Sequence, residues 1–259
     1  MAENSAATLM IDSGVGGLSV LALAHHELPE ENFLFFADAA NAPYGDKTPD
    51  EIRDLIHAIL NQYGDIPLKA ILLACNTATS ATAAVLRREL SIPVIGMEPA
   101  LKPAVLNSEG QIVVMATALT IREEKFQNLL KLYGEGRDIV PLPCPGLMEL
   151  VEKDPAGAET EAYLREHLEP YRETMSSLVL GCTHYVFLRP MVKKLIPKAQ
   201  IFDGNEGVVR HLRTVLADHE ALGGEGCVTV ECSLPNSEAR NAYLRKCHKM
   251  ISFCSQIYN

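Results

Sequence analysis

No stretch of this 259-residue sequence stays apolar for long. Uninterrupted apolar runs such as 70–75 and 112–116 fall far short of the roughly 20 residues a membrane-spanning helix needs. Basic residues are absent from the first twelve positions, which hold a glutamate before a short apolar run; that is not the pattern of a signal peptide. A chain without membrane contact, soluble and cytoplasmic, is therefore expected. Positive charge is in deficit overall, with 23 Lys and Arg against 33 Asp and Glu and a net charge of −10. Nucleic-acid binding needs phosphates neutralised by Lys and Arg, so no nucleic-acid partner is expected.

Paired cysteines are missing too. The seven cysteines are an odd number and contain no CxxC, which predicts reduced thiols. Cys144, Cys227, Cys232, Cys247 and Cys254 lack zinc-site spacing and read as structural, so no metal is expected. Cofactor fingerprints are likewise absent. Asp12-Ser13-Gly14-Val15-Gly16-Gly17 is not GxGxxG, because Ser19 holds the place of the third glycine, and no Gly-Lys-Ser/Thr follows it. Nothing around Lys47, Lys102 or Lys125 supports a Schiff-base lysine. No cofactor is predicted.

What is present is an alternation. Short apolar, β-rich runs recur at 8–11, 32–37, 69–74, 93–96, 111–116, 138–142, 177–181, 199–202 and 227–231. Several are almost wholly apolar, as strands buried on both faces are. Helical patterns lie between them. One opens at Pro49 with acids in its first turn, and one over 79–90 ends in Arg87 and Arg88, where cations suit the helix dipole. Others cover 159–176, 206–219 and 237–250. Such alternation predicts an α/β fold with mostly parallel sheets. Apolar content of 47% and charged content of 22% agree with a globular chain.

One internal echo suggests two similar lobes. Ile71-Leu72-Leu73-Ala74-Cys75-Asn76-Thr77 resembles Leu178-Val179-Leu180-Gly181-Cys182-Thr183-His184. Each is three aliphatics, a small residue, a cysteine and two polar residues leading towards a helix. The expected division is 1–97 plus 207–259 for a first, discontinuous lobe and 98–206 for a second.

Ligands of open α/β sheets bind outside the carboxyl ends of the strands, which is where these cysteines fall. A thiol just before a helix N-terminus sees the positive dipole end and free N–H groups, both of which favour thiolate. Neither cysteine has an arginine six residues later, since Ala81 and Leu188 stand there, which argues against a tyrosine-phosphatase loop. His184 is placed to exchange a proton with Cys182. Asp12 or Ser13 reads equally well as the cap of the next helix. Asn41-Ala42-Pro43-Tyr44-Gly45-Asp46 reads as a turn. Thr117 and Thr120 read equally well as helix caps.

Taken together and in order, five segments resemble the glutamate racemases, the cofactor-independent amino-acid racemases of bacterial cell-wall synthesis. They are Asp12-Ser13-Gly14-Val15-Gly16-Gly17-Leu18, Pro43-Tyr44-Gly45, Ala74-Cys75-Asn76-Thr77-Ala78, Ala116-Thr117 with Thr120, and Gly181-Cys182-Thr183-His184-Tyr185. The resemblance implies two α/β lobes with the active site between them. It implies exchange of L- and D-glutamate by two cysteines, Cys75 taking the α-proton of D-glutamate and Cys182 that of L-glutamate. Asp12 and His184 match residues that assist the thiols. Asp12, Ser13, Pro43, Tyr44, Gly45, Asn76, Thr77, Thr117, Thr120, Thr183 and His184 match positions that hold substrate. Glu152 falls near a family acidic position. The product would supply peptidoglycan synthesis, and a homodimer is compatible with the pattern. Departures include Ala37 before Asp38, where the family usually has glycine, and the charged run Ile121-Arg122-Glu123-Glu124.

Three other readings stay open at this point. One is a racemase for aspartate or another acidic amino acid. Another is a hydrolase using Cys182 and His184, which would leave Cys75 without a task. The third is an acidic-amino-acid binding protein, for which neither thiol is needed.

Overall fold

The structure is a computed structural model that describes residues 6–235 and 237–258. The chain divides into two compact units, Met1–Met97 with Asn205–Asn259, and Glu98–Gly204. In chain order the first unit begins with β1 (Ala7–Asp12), α1 (Leu18–Glu27), β2 (Phe33–Ala37), α2 (Pro49–Gln62), β3 (Leu68–Leu73), α3 (Asn76–Glu89) and β4 (Val94–Gly96). The second unit follows with α4 (Leu101–Asn107), β5 (Gln111–Ala116), α5 (Ala118–Arg122), α6 (Glu124–Tyr133), β6 (Ile139–Pro143), α7 (Leu147–Lys153), α8 (Ala158–Leu168), β7 (Met175–Leu180), α9 (Arg189–Leu195) and β8 (Gln200–Asp203). The chain then returns to the first unit with α10 (Asn205–Asp218), β9 (Val228–Cys232) and α11 (Ser237–Tyr258).

Each unit is built on one parallel sheet. The first has strand order β4-β3-β1-β2-β9 and the second β6-β5-β7-β8. Every pairing is parallel, with Ile11 opposite Phe36 and Leu73 in the first unit and Val114 opposite Pro141 and Val179 in the second. The central strands are buried almost throughout, which is why they read as apolar runs without alternation. In the four-stranded sheet the edge strand β6 carries Pro141 and Pro143, where a missing N–H costs no ladder bond.

Helix ends follow local chemistry. Thr48 and Glu51 form a reciprocal capping box ahead of Pro49 at the start of α2. Ile52, Ile56 and Ile59 lie on one face of α2 and are buried, each contributing roughly 1.5–3 kcal/mol. Three helices differ from expectation. The pattern over 159–176 stops at Leu168, because Pro170 sits in a 3-10 turn, Glu169–Tyr171, and Met175 already belongs to β7. Proline lacks the N–H that an α-helix interior requires. Helix α1 is capped at Gly17 with no side-chain bond, so neither Asp12 nor Ser13 caps it. Helix α11 runs to Tyr258, well past residue 250.

The loop between α10 and β9 is fixed by a buried charge cluster. Lys69 Nζ donates to the carbonyls of Ala221 at 3.0 Å and Gly223 at 2.7 Å, and pairs with Glu31. Asn32 Oδ1 accepts from the N–H groups of Glu225 and Cys227. Gly226 has φ +71°, and a Cβ there would lie 2.6 Å from the Pro29 carbonyl, so only glycine suits the turn. These bonds deliver β9 to the free edge of β2.

Candidate active site

Two clusters stand at carboxyl ends of strands, one in each unit. In the first unit β1 ends on Asp12, whose Oδ1 accepts from the Gly14 N–H at 2.7 Å. The turn to α1 passes so close to its neighbours that a Cβ on Gly17 would lie 2.8 Å from Ala74 Cβ and 2.9 Å from Asp12 Cβ. Glycine at 17 thus brings Asp12 against the end of β3. Two residues beyond β3 comes Cys75. It is the N-cap of α3, and its Sγ accepts from the Ala78 N–H at 3.5 Å. Ser13 Oγ lies 3.8 Å from the same sulfur. The sulfur therefore sits at the positive end of a 14-residue helix, where negative charge is stabilised by dipole and N–H alike. Asn76 and Thr77 occupy the first turn of that helix and are buried.

The Pro43-Tyr44-Gly45 segment joins this cluster. The Ala42–Pro43 bond is cis and Tyr44 opens a 3-10 turn. The Tyr44 hydroxyl donates to Asp38 Oδ2 at 2.7 Å, while Asn41 Nδ2 donates to Asp38 Oδ1 at 2.9 Å. Burial first, then the Asp38 charge, and further the charges of Cys75 and Asp12, hold the Tyr44 hydroxyl far above the ordinary phenol range. Tyr44 is therefore neutral, and its proton is committed to Asp38. Asp38 escaped the reading of the sequence as a site residue. The signal was available: it follows β2 as Asp12 closes β1, at the same end of the sheet.

In the second unit Thr117 follows β5 and caps α5. Its Oγ1 accepts from the Thr120 N–H at 3.1 Å, and the two hydroxyls lie 2.9 Å apart. Strand β7 leads through Gly181 to Cys182. A Cβ on Gly181 would meet the Met115 carbonyl at 2.8 Å. After Cys182 the chain enters a 3-10 turn, Thr183–Leu188, in place of the expected α-helix, and the Cys182 side chain makes no cap bond. His184 supplies what the helix end does not. Its Nδ1 lies 3.9 Å from Cys182 Sγ, and its Nε2 lies 3.1 Å from Glu152 Oε1 on α7. The imidazole is almost wholly buried. A carboxylate at Nε2 favours a proton there, which turns Nδ1 towards the sulfur as the exchangeable position.

Cys144 lies close enough to Cys182 to feel its charge. Burial foremost, and then Cys182, push the Cys144 thiol up to about 12, so it remains protonated and unreactive. The Tyr185 hydroxyl donates to the Cys144 carbonyl at 3.1 Å. The first unit thus gathers Asp12, Ser13, Pro43, Tyr44, Gly45, Cys75, Asn76 and Thr77, with Asp38 added. The second gathers Thr117, Thr120, Cys182, Thr183 and His184, with Glu152 added. Of the remaining cysteines, Cys232, Cys247 and Cys254 are buried and Cys227 is exposed. Among the described residues no group of three or more His, Cys, Asp or Glu is disposed to hold a metal. No described helix is long and apolar enough to cross a membrane. Each cluster holds one thiol among hydroxyls and amides: Cys75 near Ser13 and the Asp12 turn in the first unit, and Cys182 beside His184 in the second.

Comparison with known proteins gives concordant matches. A family model described as Asp/Glu/Hydantoin racemase matches residues 19–212. A glutamate racemase from Clostridium perfringens is 48% identical over 213 residues, covering 80% of this chain and 82% of its own. A crystal structure of a glutamate racemase isoform from Bacillus anthracis superposes with a TM-score of 0.83 at 28% identity, covering 96% of this chain and 95% of that one. The Escherichia coli glutamate racemase, solved with L-glutamate and the activator UDP-MurNAc-Ala, gives 0.81 at 27% identity over 93% of this chain and 95% of that one.

Proposed function

The chain belongs to the Asp/Glu/hydantoin racemase family as a glutamate racemase, an isomerase, and we propose that it inverts the α-carbon of glutamate with Cys75 and Cys182 as the two bases. Inversion requires one group to remove the α-proton from one face and another to deliver a proton to the opposite face. One sulfur acts as thiolate and the other as thiol, and the roles reverse with direction. Cys75 takes the proton of D-glutamate and Cys182 that of L-glutamate. The observation that carries this reading is the presence of two strand–cysteine segments with different proton partners. Cys75 has a helix N-terminus, Ser13 and the neighbouring Asp12 loop. Cys182 has His184 backed by Glu152.

Glu152 is a positioning residue in this scheme. Its carboxylate fixes the tautomer of His184, and His184 exchanges a proton with Cys182. The substrate carboxylates are held by hydroxyls, side-chain amides and backbone N–H groups from Ser13, Asn76, Thr77, Thr117, Thr120 and Thr183. No Lys or Arg lies between residues 70 and 86 or between 173 and 188, so the thiol segments themselves offer the two substrate carboxylates no cation. The D-glutamate formed serves peptidoglycan synthesis. The protein works in solution, away from the membrane, and needs no cofactor.

Single cysteine variants test the scheme. Cys75→Ser and Cys182→Ser should each lose racemisation by orders of magnitude, because a hydroxyl is a far weaker acid than a thiol of pKa about 8.5. Elimination of chloride from β-chloroglutamate needs only one base. Cys75→Ser should then eliminate mainly from the L-like isomer and Cys182→Ser mainly from the D-like one. Elimination from the same isomer by both variants would refute the two-base assignment. Racemisation of aspartate at a matching rate would move the substrate assignment to acidic amino acids at large.

A further inference from the structure

Thr79 lies in the first turn of α3 and is buried at 2% exposure. Its hydroxyl donates to the carbonyl of Leu73, the last residue of β3, at 3.1 Å. The same oxygen accepts from the Met97 N–H at 3.0 Å. Its own N–H donates to the Cys75 carbonyl at 2.9 Å. One side chain therefore joins the strand that delivers Cys75, the helical turn that Cys75 caps, and the last residue before the chain leaves the first unit. The fit is tight. A Cβ on Gly96 would come within 2.3 Å of Thr79 Cγ2, so glycine at 96 lets Thr79 reach both partners. Using one oxygen as donor and acceptor at once is open to a hydroxyl and closed to an aliphatic group of the same shape.

The sulfur of Cys75 takes its hydrogen bond from Ala78, the residue before Thr79. How the first turn of α3 is seated on β3 therefore decides where that N–H points, and with it the sulfur. We infer that Thr79 is a positioning residue for the racemisation, its hydroxyl seating α3 so that the Cys75 sulfur is aimed and its thiolate stabilised, an assignment that rests on the two-thiol reading above. A displacement of about 1 Å at a reacting group costs on the order of a hundredfold in rate. Loss of one of several restraints on α3 is a smaller disturbance, and about tenfold is expected.

The test compares Thr79→Val, which keeps the shape without the hydroxyl, with Thr79→Ser, which keeps the hydroxyl. Three quantities are read: kcat and KM with each enantiomer, the rates at which iodoacetamide alkylates Cys75 and Cys182 as resolved by peptide mass spectrometry, and the melting temperature. Thr79→Val should lower kcat about tenfold with little change in KM. It should also slow alkylation of Cys75 and leave Cys182 unchanged. Thr79→Ser should restore both. Should Thr79→Val not fold, Thr79→Ala set against Thr79→Ser carries the same comparison without added crowding. Equal impairment of the Val and Ser variants would overturn the inference, since shape and not the hydroxyl would then be at work. So would a loss of kcat with Cys75 alkylation unchanged, or normal kcat in Thr79→Val. Cys75→Ser is assayed in parallel. If it racemises normally, the two-thiol reading itself fails; if it is dead while Thr79→Val is normal, only the role of Thr79 fails.

Discussion

Replacing Lys69 by methionine should unfold the first unit at a lower temperature without touching a thiol. The ammonium has 8% of its side chain exposed and the Glu31 carboxylate 2%. Methionine keeps most of the stem's packing and removes the charge. Glu31 is then left as an uncompensated buried anion with the Gly223 N–H among its remaining donors, and the carbonyls of Ala221 and Gly223 lose the Lys69 donor. Breaking one side of a buried pair costs about 3–5 kcal/mol. With about 2–4 °C per kcal/mol for a chain of this size, the melting temperature should fall by roughly 6–20 °C. Scanning calorimetry or circular dichroism at pH 7 reads this directly. The double variant Lys69→Met/Glu31→Leu should recover part of the loss, because the stranded charge is gone; the double-mutant cycle then shows strong coupling. A Lys69→Met melting temperature within about 2 °C of the parent, or simple additivity in the cycle, would refute the view that this cluster holds the α10–β9 loop.

Three further outcomes are expected. Glu152→Gln should slow turnover of L-glutamate more than its binding and displace the pH–rate profile, since the amide no longer fixes the His184 proton; unchanged profiles in both directions would remove Glu152 from the scheme. Thr48→Ala should lower stability by about 1 kcal/mol through loss of the α2 cap, read as a shifted denaturant midpoint with unchanged slope. Burial holds the thiols of Cys144 and Cys254 at about 12, well above the ordinary thiol range. Both are therefore neutral in the folded state where the unfolded chain ionises. Their contribution is complete below about pH 9 and is lost as pH rises towards 12. Stability should decline across that alkaline window, and Cys144→Ala/Cys254→Ala should flatten the decline; an unaltered slope would show that other groups govern it.

The strands were legible because their chemistry is local. Nine apolar runs became nine strands among the described residues, each within a residue or two of its expected ends. Parallel pairing followed from the helices between them, and two lobes from the echo of the Cys75 and Cys182 segments. The thiols were legible because each sits where an apolar run meets polar residues, the boundary at which ligands of such sheets bind. What was lost depended on residues distant in sequence. His184 reads as a partner of Cys182 from spacing alone and Glu152 only as an acid near a family position; that the two side chains meet across 32 positions is visible only in the fold. Asp38 looks like a loop acid until Tyr44 is seen donating to it. The helical pattern over 159–176 carries Pro170 near its end, and in the chain the missing N–H decides: the α-helix stops at Leu168. The echo with the Cys75 segment predicts a helix directly after Cys182, whereas the chain makes a 3-10 turn first and α9 only from Arg189.

The order of the strands along the chain bears on how the protein emerges from a ribosome. The sheet of the second unit is contiguous in sequence, β5 to β8, within Glu98–Gly204. The first unit must wait: α10, which packs on α1, and β9, the partner of β2, are encoded after residue 204. At about 5–20 residues per second, the stretch from 205 to 258 takes roughly 3–10 s to synthesise. During that interval the edge of β2 and the apolar face of α1 have no cover from their own chain. The unit that starts first finishes last, so the nascent protein presents a folded middle flanked by an incomplete beginning.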